Sequence, residues 1–324
     1  MKKILLATTA LVATAGFAAA EVKISGAAEM GIVDGDHLAT AGFHTDVGVT
    51  FTLSGEADNG LTFGSAIALE DGGSANGTTS ISTTDGSDDY TVWIAYGGAK
   101  LSMGDTDGAF DWAMKEVGIG GSIADDHTTH AGFNFNSGLD GTFDGQIARF
   151  DYSFDAFSFA ISAEIDDSGT FDPVWGIGFK YSGELAGLDL GVGLGYQSVD
   201  LGVDVEVIGI SVDTTFDNGL QAIVNYSETD VGGTTVDHWG LGVGYTMNAL
   251  TLSANYGEYS GPGFTNNGFG IAANYDLGGG LEVQFGYGSS DADIPLAVFG
   301  LGDGRFGGVA GDNDSYSFGL AMSF

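Results

Sequence analysis

The run Leu188-Asp189-Leu190-Gly191-Val192-Gly193-Leu194-Gly195-Tyr196 sets a large apolar residue at every second position, with glycine or aspartate between. A period of two places all five apolar side chains on one face of an extended strand and leaves the other face polar or bare, whereas a helix would scatter them. The alternation continues in both directions, through Trp175/Ile177/Phe179/Tyr181 and Phe157/Phe159/Ile161 on one side and Trp239/Leu241/Val243/Tyr245 on the other. It reaches Val22/Ile24 and Ala28/Met30/Ile32 near the start and Tyr316/Phe318/Leu320/Met322/Phe324 at the end. No helical stripe is sustained anywhere. The chain reads as all-β, with about sixteen segments of the roughly 9 to 11 residues that a tilted membrane-crossing strand needs. Their centres fall near residues 28, 48, 65, 93, 102, 149, 161, 178, 192, 210, 223, 241, 253, 271, 284 and 319.

Two classes of connection alternate along these segments. Short, turn-like ones include Glu56-Ala57-Asp58-Asn59-Gly60, Gly97-Gly98, Asp217-Asn218-Gly219 and Gly278-Gly279-Gly280, in which Asn-Gly and Gly-Gly supply the backbone angles of tight hairpins. Longer, acidic ones are expected at 34–41, 71–88, 105–144, 166–172, 228–236, 258–266 and 289–312. Short turns at one end and long loops at the other suit a sixteen-stranded antiparallel transmembrane β-barrel. Aromatic placement agrees. Tyr96, Tyr152, Tyr181, Tyr245, Tyr275, Phe216 and Phe324 fall beside short turns, while Tyr90, Trp175, Tyr196, Tyr226, Trp239, Tyr256, Tyr287 and Tyr316 fall beside long loops. Rings banded at both strand ends match two membrane interfaces; a soluble sandwich would bury them mid-strand.

Composition narrows the partners. Met1-Lys2-Lys3, a mild apolar run from Ile4 to Phe17 and Ala18-Ala19-Ala20 before Glu21 read as a cleaved signal peptide at 1–20, leaving a single barrel domain at 21–324. That mature chain would carry six basic against 44 acidic residues, a formal charge of −38. Nucleic acid is thereby excluded as a partner. With no cysteine the chain is no disulfide scaffold, and 43% hydrophobic residues set it apart from acidic disordered chains.

The face opposite the apolar one is glycine, serine, threonine, asparagine, glutamine and scattered charge, so the barrel interior should be wet. Glycines at Gly176, Gly178, Gly191, Gly193, Gly195, Gly240, Gly242 and Gly244 either leave space there or permit strand curvature. Four basic residues take inward positions, Lys23, Lys100, Arg149 and Lys180, on expected strands 1, 5, 6 and 8, read as one stretch of wall. The longest loop, the third of the long class, carries Asp105, Asp107, Asp111, Glu116, Asp125 and Asp126, with His127 and His130 behind them. Folded into the barrel, it would set its carboxylates against the basic wall and narrow the passage. The net charge argues for cation preference.

Three stretches carry a family resemblance. Tyr96-Gly97-Gly98-Ala99-Lys100-Leu101-Ser102-Met103-Gly104-Asp105-Thr106-Asp107-Gly108-Ala109, Ile147-Ala148-Arg149-Phe150-Asp151-Tyr152-Ser153-Phe154 and the terminal Phe324 with its alternating apolar partners resemble the general porins of Rhodobacter-type alphaproteobacteria. The resemblance extends from the signal peptide to the last residue, and its most specific part is the Gly-Asp-Thr-Asp-Gly-Ala lead-in to the long loop. It implies a homotrimer in the bacterial outer membrane, among its lipid and lipopolysaccharide, with the third extracellular loop folded inward and passive diffusion of small hydrophilic solutes. It also implies that Phe324 is an address for the barrel assembly machinery, and that Asp105, Asp107 and Asp111 are candidates for calcium, a hard cation suited to oxygen ligands. No other cofactor is implied. The wall holds fewer cations than members of that family can carry, which favours cations further.

Other classes fit less well. A barrel enzyme would need a nucleophile, base and orienting group held together, and none of His37, His44, His127, His130 and His238 lies in a recognisable catalytic motif. Gly302-Asp303-Gly304 and Gly311-Asp312-Asn313-Asp314 do not recur in tandem as a calcium-binding solenoid requires. A barrel with a plugged lumen has the same sequence signature as an open one.

Overall fold

A computed structural model describes residues 20–36, 38–71, 90–185, 187–294 and 310–324. Residues 1–19 of the expected signal peptide, His37, the stretch 72–89 and residues 295–309 of the last long loop lie outside the described residues. Sixteen strands follow in chain order: β1 (Glu21–Gly35), β2 (Gly42–Glu56), β3 (Thr62–Asp71), β4 (Tyr90–Tyr96), β5 (Ala99–Asp105), β6 (Gln146–Phe154), β7 (Phe157–Glu164) and β8 (Val174–Leu185). The second half comprises β9 (Leu188–Asp200), β10 (Asp204–Thr215), β11 (Leu220–Val231), β12 (Thr234–Met247), β13 (Leu250–Gly261), β14 (Phe264–Gly278), β15 (Leu281–Ala292) and β16 (Gly311–Ser323). Every strand centre expected from the alternation falls inside its strand.

Each strand pairs antiparallel with its chain neighbour, and β16 returns to β1 with Met30 opposite Leu320 and Gly31 opposite Gly319. Closure leaves no unpaired sheet edge, the condition under which strands can cross a bilayer. The outward rows are apolar and open to the surroundings, as at Ile177, Leu194, Ile208, Val224, Leu241 and Ile271. Aromatic rings stand at both ends of these rows, with Tyr96, Tyr152 and Tyr275 exposed beside short turns and Trp175, Trp239 and Tyr316 exposed at the opposite rim. At that rim tyrosine hydroxyls donate to outward carboxylates: Tyr196 to Glu206 (2.7 Å), Tyr226 to Asp237 (2.5 Å) and Tyr316 to Asp34 (2.7 Å). Each ring thus sits in the apolar layer with its polar tip in a charged one.

Two connections are shorter than the sequence suggested. The stretches 228–236 and 258–266, expected as long loops, are strands joined by tight turns at Gly232-Gly233 and Pro262-Gly263. Glycines at φ of 59°, 87° and 86° make these reversals, a conformation that side chains resist. The extended strand ends gain packing, because Val236, Tyr259 and Phe264 bury one another there with Ile294 against them.

Large buried apolar side chains do not gather at a central core. Phe110, Met114 and Val207 form one cluster, and Val117, Ile119, Phe133 and Ile223 another. Both lie between the barrel wall and the segment joining β5 to β6, which therefore runs inside the barrel.

Leu241 lies mid-way along β12, on the outward face. Leu241→Arg is expected to cost about 2 to 4 kcal/mol of barrel stability in lipid, read as a lower urea midpoint for refolding into vesicles; a matching substitution at outward Glu206, in the rim layer, should move that midpoint far less.

Candidate pore constriction

The β5–β6 segment leaves the wall after Asp105, makes the short helix α1 (Ala109–Ala113), turns through a 3-10 turn at Ile123–Asp125 and comes back to Gln146. Its outward limb is tied to successive strands. The Ala109 amide donates to Ser162 Oγ on β7 (2.8 Å), the Lys115 amide to Ser211 Oγ on β10 (2.9 Å), and Asn225 Nδ2 on β11 to the Lys115 carbonyl (3.1 Å). Asn274 Nδ2 on β14 donates to the Gly121 carbonyl (2.6 Å). At the tip the Ala124 amide donates to Glu29 Oε2 on β1 (3.1 Å), an oxygen that also bonds His44 Nε2 (3.1 Å).

The return limb lies beside the first. His130 Nε2 bonds Asn255 Oδ1 on β13 (2.7 Å), the Ala131 amide donates to Ser290 Oγ on β15 (3.0 Å), and His238 Nε2 on β12 bonds the Gly132 carbonyl (2.9 Å). The Leu139 amide donates to Gln197 Oε1 on β9 (2.7 Å), and the Phe143 and Gly145 amides share Glu164 Oε1 on β7 (3.0 and 2.9 Å). Asp140 clasps the neck, accepting from the Gly108 amide (2.6 Å) and Gln197 Nε2 (2.5 Å). Burial pushes its carboxyl up to about 6 against the lowering effect of those two bonds.

This close lie depends on the inward glycines. A Cβ at Gly178 or Gly193 would overlap the carbonyls of Ala109 or Ala113, one at Gly242 the Val117 carbonyl, and one at Gly270 the His127 carbonyl. At Gly195 it would fall 2.7 Å from the Phe110 ring. Of the two readings the sequence left open for these glycines, space is the one the structure uses: loop backbone or loop side chains occupy it, except at Gly191, where the Asp213 carboxylate does. At the tip, Ile123 covers Gly31 and Gly319, which face one another across the closing pair β1 and β16. Among the described residues no loop anchor falls on β3, β4 or β5, so the open interior lies between the loop and the wall from β2 to β5.

The charged side chains do not form one cluster. Asp107 and Arg149 meet at 3.7 Å, Arg149 also reaches Asp151 at 3.4 Å, and its guanidinium donates to the Asp107 carbonyl. Lys180 Nζ stands 4.3 Å from the centroid of the Trp112 ring on α1, with Arg149 5.9 Å from the same ring. The attraction holds these two cations against the loop. Lys100 lies 5.8 Å from the Trp93 ring. Lys23 is separated from this patch by β2, β3 and β4, so the four expected wall cations do not form one stretch. Asp111 belongs to the outward limb near Arg149 and Lys180, and exposed Glu116 to the same limb beside Lys115. Asp125 and Asp126 belong to the distant turn, Asp126 buried with its carbonyl against Gly288 on β15. Asp105 ends β5 on the same parity as outward Leu101 and Met103 and is exposed. Exposed Lys115, beside Glu116, is a lumen cation that counting inward strand positions could not find.

Burial first, then the carboxylates of Asp107, Asp140 and Glu116, push the Asp111 carboxyl up to about 8, with Arg149 opposing. Asp111 is therefore mainly protonated at neutral pH. Asp105, Asp107 and Asp111 do not gather in one place: among the described residues no three acidic, histidine or cysteine side chains come together so as to hold a metal ion. Asp107 is turned to Arg149 instead.

A family model for Gram-negative porins matches residues 7–295. The chain belongs to that family. This porin is 28% identical over 306 residues to a porin of Rhodobacter capsulatus, covering 85% of the chain and 95% of that relative. It is 24% identical over 282 residues to a porin of Fuscovulum blasticum, covering 76% and 85%. Solved porin structures share its fold: one superposes with a TM-score of 0.69 at 20% identity, covering 94% of this chain and all of the other. A mutant porin of Rh. blastica superposes with a TM-score of 0.62 at 18% identity over the same shares. The chain is thus an outer-membrane channel protein, and no enzyme.

Two measurements probe the constriction. Gly242→Val should push the outward limb off the wall, and the only free space is the channel, so open-channel conductance should fall while the barrel still migrates as a folded species on gels. Burial likewise pushes the Glu116 carboxyl up to about 7, so raising pH from 6 to 9 ionises both Glu116 and Asp111 beside the passage; the reversal potential in a salt gradient should move toward the cation limit, Asp111→Asn should remove the upper part of that movement, and Asp111→Asn with Glu116→Gln should remove it all.

Proposed function

We propose that this porin is a water-filled, cation-preferring channel through which small hydrophilic solutes and ions diffuse, with the β5–β6 loop as its constriction. One observation carries the reading. The loop is bound along the wall from β7 round to β1, leaving the faces of β2 to β5 lined mainly by small groups such as Thr50, Thr52, Ala66 and Ala95, with one large ring, Trp93, lying over Gly64 beside Lys100.

Asp107 and Glu116 act with Lys115, Lys100, Arg149 and Lys180 to set the field at the narrowest level, and Asp111 joins them as it ionises above neutral pH. Asp125 at the far turn adds to the anionic surroundings, as does the acidic rim. Arg149 contributes little free field because Asp107 and Asp151 neutralise it at contact distance. A surplus of negative charge concentrates cations at the mouths.

The reading extends to the assembly. Residues 1–20 direct export and are removed, and three copies associate in the outer membrane. The Tyr-carboxylate rim faces the lipopolysaccharide layer, and Phe324 serves the assembly machinery. In favour of the last role, the Phe324 ring is exposed while its backbone is held by Gly26 in both directions, at 2.9 and 3.3 Å.

Single-channel recording in a planar bilayer tests both halves. Open steps grouped in threes with a cation-favouring reversal potential are expected. Silence from correctly folded protein would sink the diffusion reading in favour of a plugged barrel, and an anion-favouring potential would sink the assigned selectivity alone.

A further inference from the structure

All four described histidines sit where the loop meets the wall. His44 supports Glu29, which holds the loop tip. The other three line the return limb: His127 (1% exposed), His130 (4%) and, facing them from β12, His238 (1%). His127 Nδ1 bonds Ser122 Oγ (2.9 Å), while its Nε2 has no partner and almost no access to water. His130 spends Nε2 on Asn255 and accepts the Gly132 amide at Nδ1 (3.2 Å), an acceptor role that requires a neutral ring. His238 lies against Tyr259, ring centroids 4.5 Å apart and planes tilted by 49°.

We propose that the return limb is an acid-released latch: protonation of His127 and His130 in this dry contact detaches it from β12 to β15, and the freed limb obstructs the channel. The inference rests on the channel reading above. No carboxylate faces either ring. The ring contacts are Ser122, the Gly132 amide and the edge of Phe133 within the loop, Asn255 from β13 and the backbone of Gly268 from β14, with His238 from β12 adding a third imidazole; the Asn255 bond alone favours a charged ring, and burial outweighs it. The nearest carboxylates in sequence, Asp125 and Asp126, belong to the turn that stays with the tip, and burial, not a carboxylate, is what acts on both rings. A charged His130 would also lose the bond from the Gly132 amide.

Direction follows from the enclosure. The barrel wall is closed, so a limb that leaves it can move only into the lumen, taking Phe133 and Phe135 out of their packing with Val117 and Ile223. The outward limb and tip stay in place, held by their own bonds to Ser162, Ser211, Asn225, Asn274 and Glu29.

Burial lowers both His127 and His130 from 6.5 to about 4 while docked. The docked loop therefore binds fewer protons than the released one. Release is favoured as pH falls below 6.5 and gains nothing more below about 4, each ring weighting it by about 300-fold across that window. Asp140 and Asp111 take up protons in or above the same range, and their loss of charge alters selectivity.

Bilayer recordings at pH 7.5 and 4.5 separate these effects. Wild-type channels should be steadily open at pH 7.5 and at pH 4.5 show closures that cut mean conductance at least threefold; the His127→Asn, His130→Gln double variant should stay open at both. A wild type that stays open in acid, or a double variant that closes like it, overturns the latch. Should the double variant not fold, a second route is Ala131→Cys with Ser290→Cys in this cysteine-free chain. Oxidised, it should remain open at pH 4.5, and reduced, it should close; acid closure of the oxidised form overturns the latch. Absence of channels at pH 7.5 is a different failure, of the channel reading itself.

Discussion

Backbone can lie flat against the inside of a β-barrel only where the wall presents no side chains. Every inward residue with a Cβ holds an approaching chain away, and a loop held away would hang across the lumen. Here Gly178, Gly193, Gly242 and Gly270 remove that obstacle along the path the loop takes, while Ser162, Ser211, Asn225, Asn255 and Asn274 stand beside the track to bind the buried amides and carbonyls. Neither half works without the other. Glycines alone would bury unsatisfied peptide groups, and amide side chains alone would keep the loop at arm's length.

The lumen therefore inherits its shape from packing and its charge from what the packing leaves uncovered. Basic residues are scarce, and the structure uses several of them at contact range. Arg149 is tied down by two carboxylates and Lys180 by the Trp112 ring. Their positive charge then acts over short distances, in a lumen where water and salt screen the rest. The surplus of carboxylates on the free loop face and at the rim dominates at longer range.

Strand positions were legible because membrane-crossing strands must alternate, and alternation is a property of one chain read by itself. The sixteen centres required no knowledge of neighbours. Loop lengths were less legible where polar, acidic strand ends such as Glu228 to Asp230 rise out of the membrane and lose the apolar row that marks a strand. The inward path of the long loop could be argued from its length and acidity, yet its route could not, since it depends on which glycine of β8 meets which of β9 across the sheet. For the same reason Asp105 looked like part of the loop when its parity places it with the strand, and Asp140, Glu164 and Gln197, which fasten the neck, carried no mark in the sequence that separated them from other lumen residues.

Ile123 covers Gly31 from the first strand and Gly319 from the last. Half of its seat is made by residues that lie nearly two hundred positions later in the chain. However early the loop itself is available, the seat cannot exist until β16 has found β1, so the event that completes the cylinder is also the event that fixes its bore. A chain halted before that pairing would hold a finished loop with nowhere to put its tip.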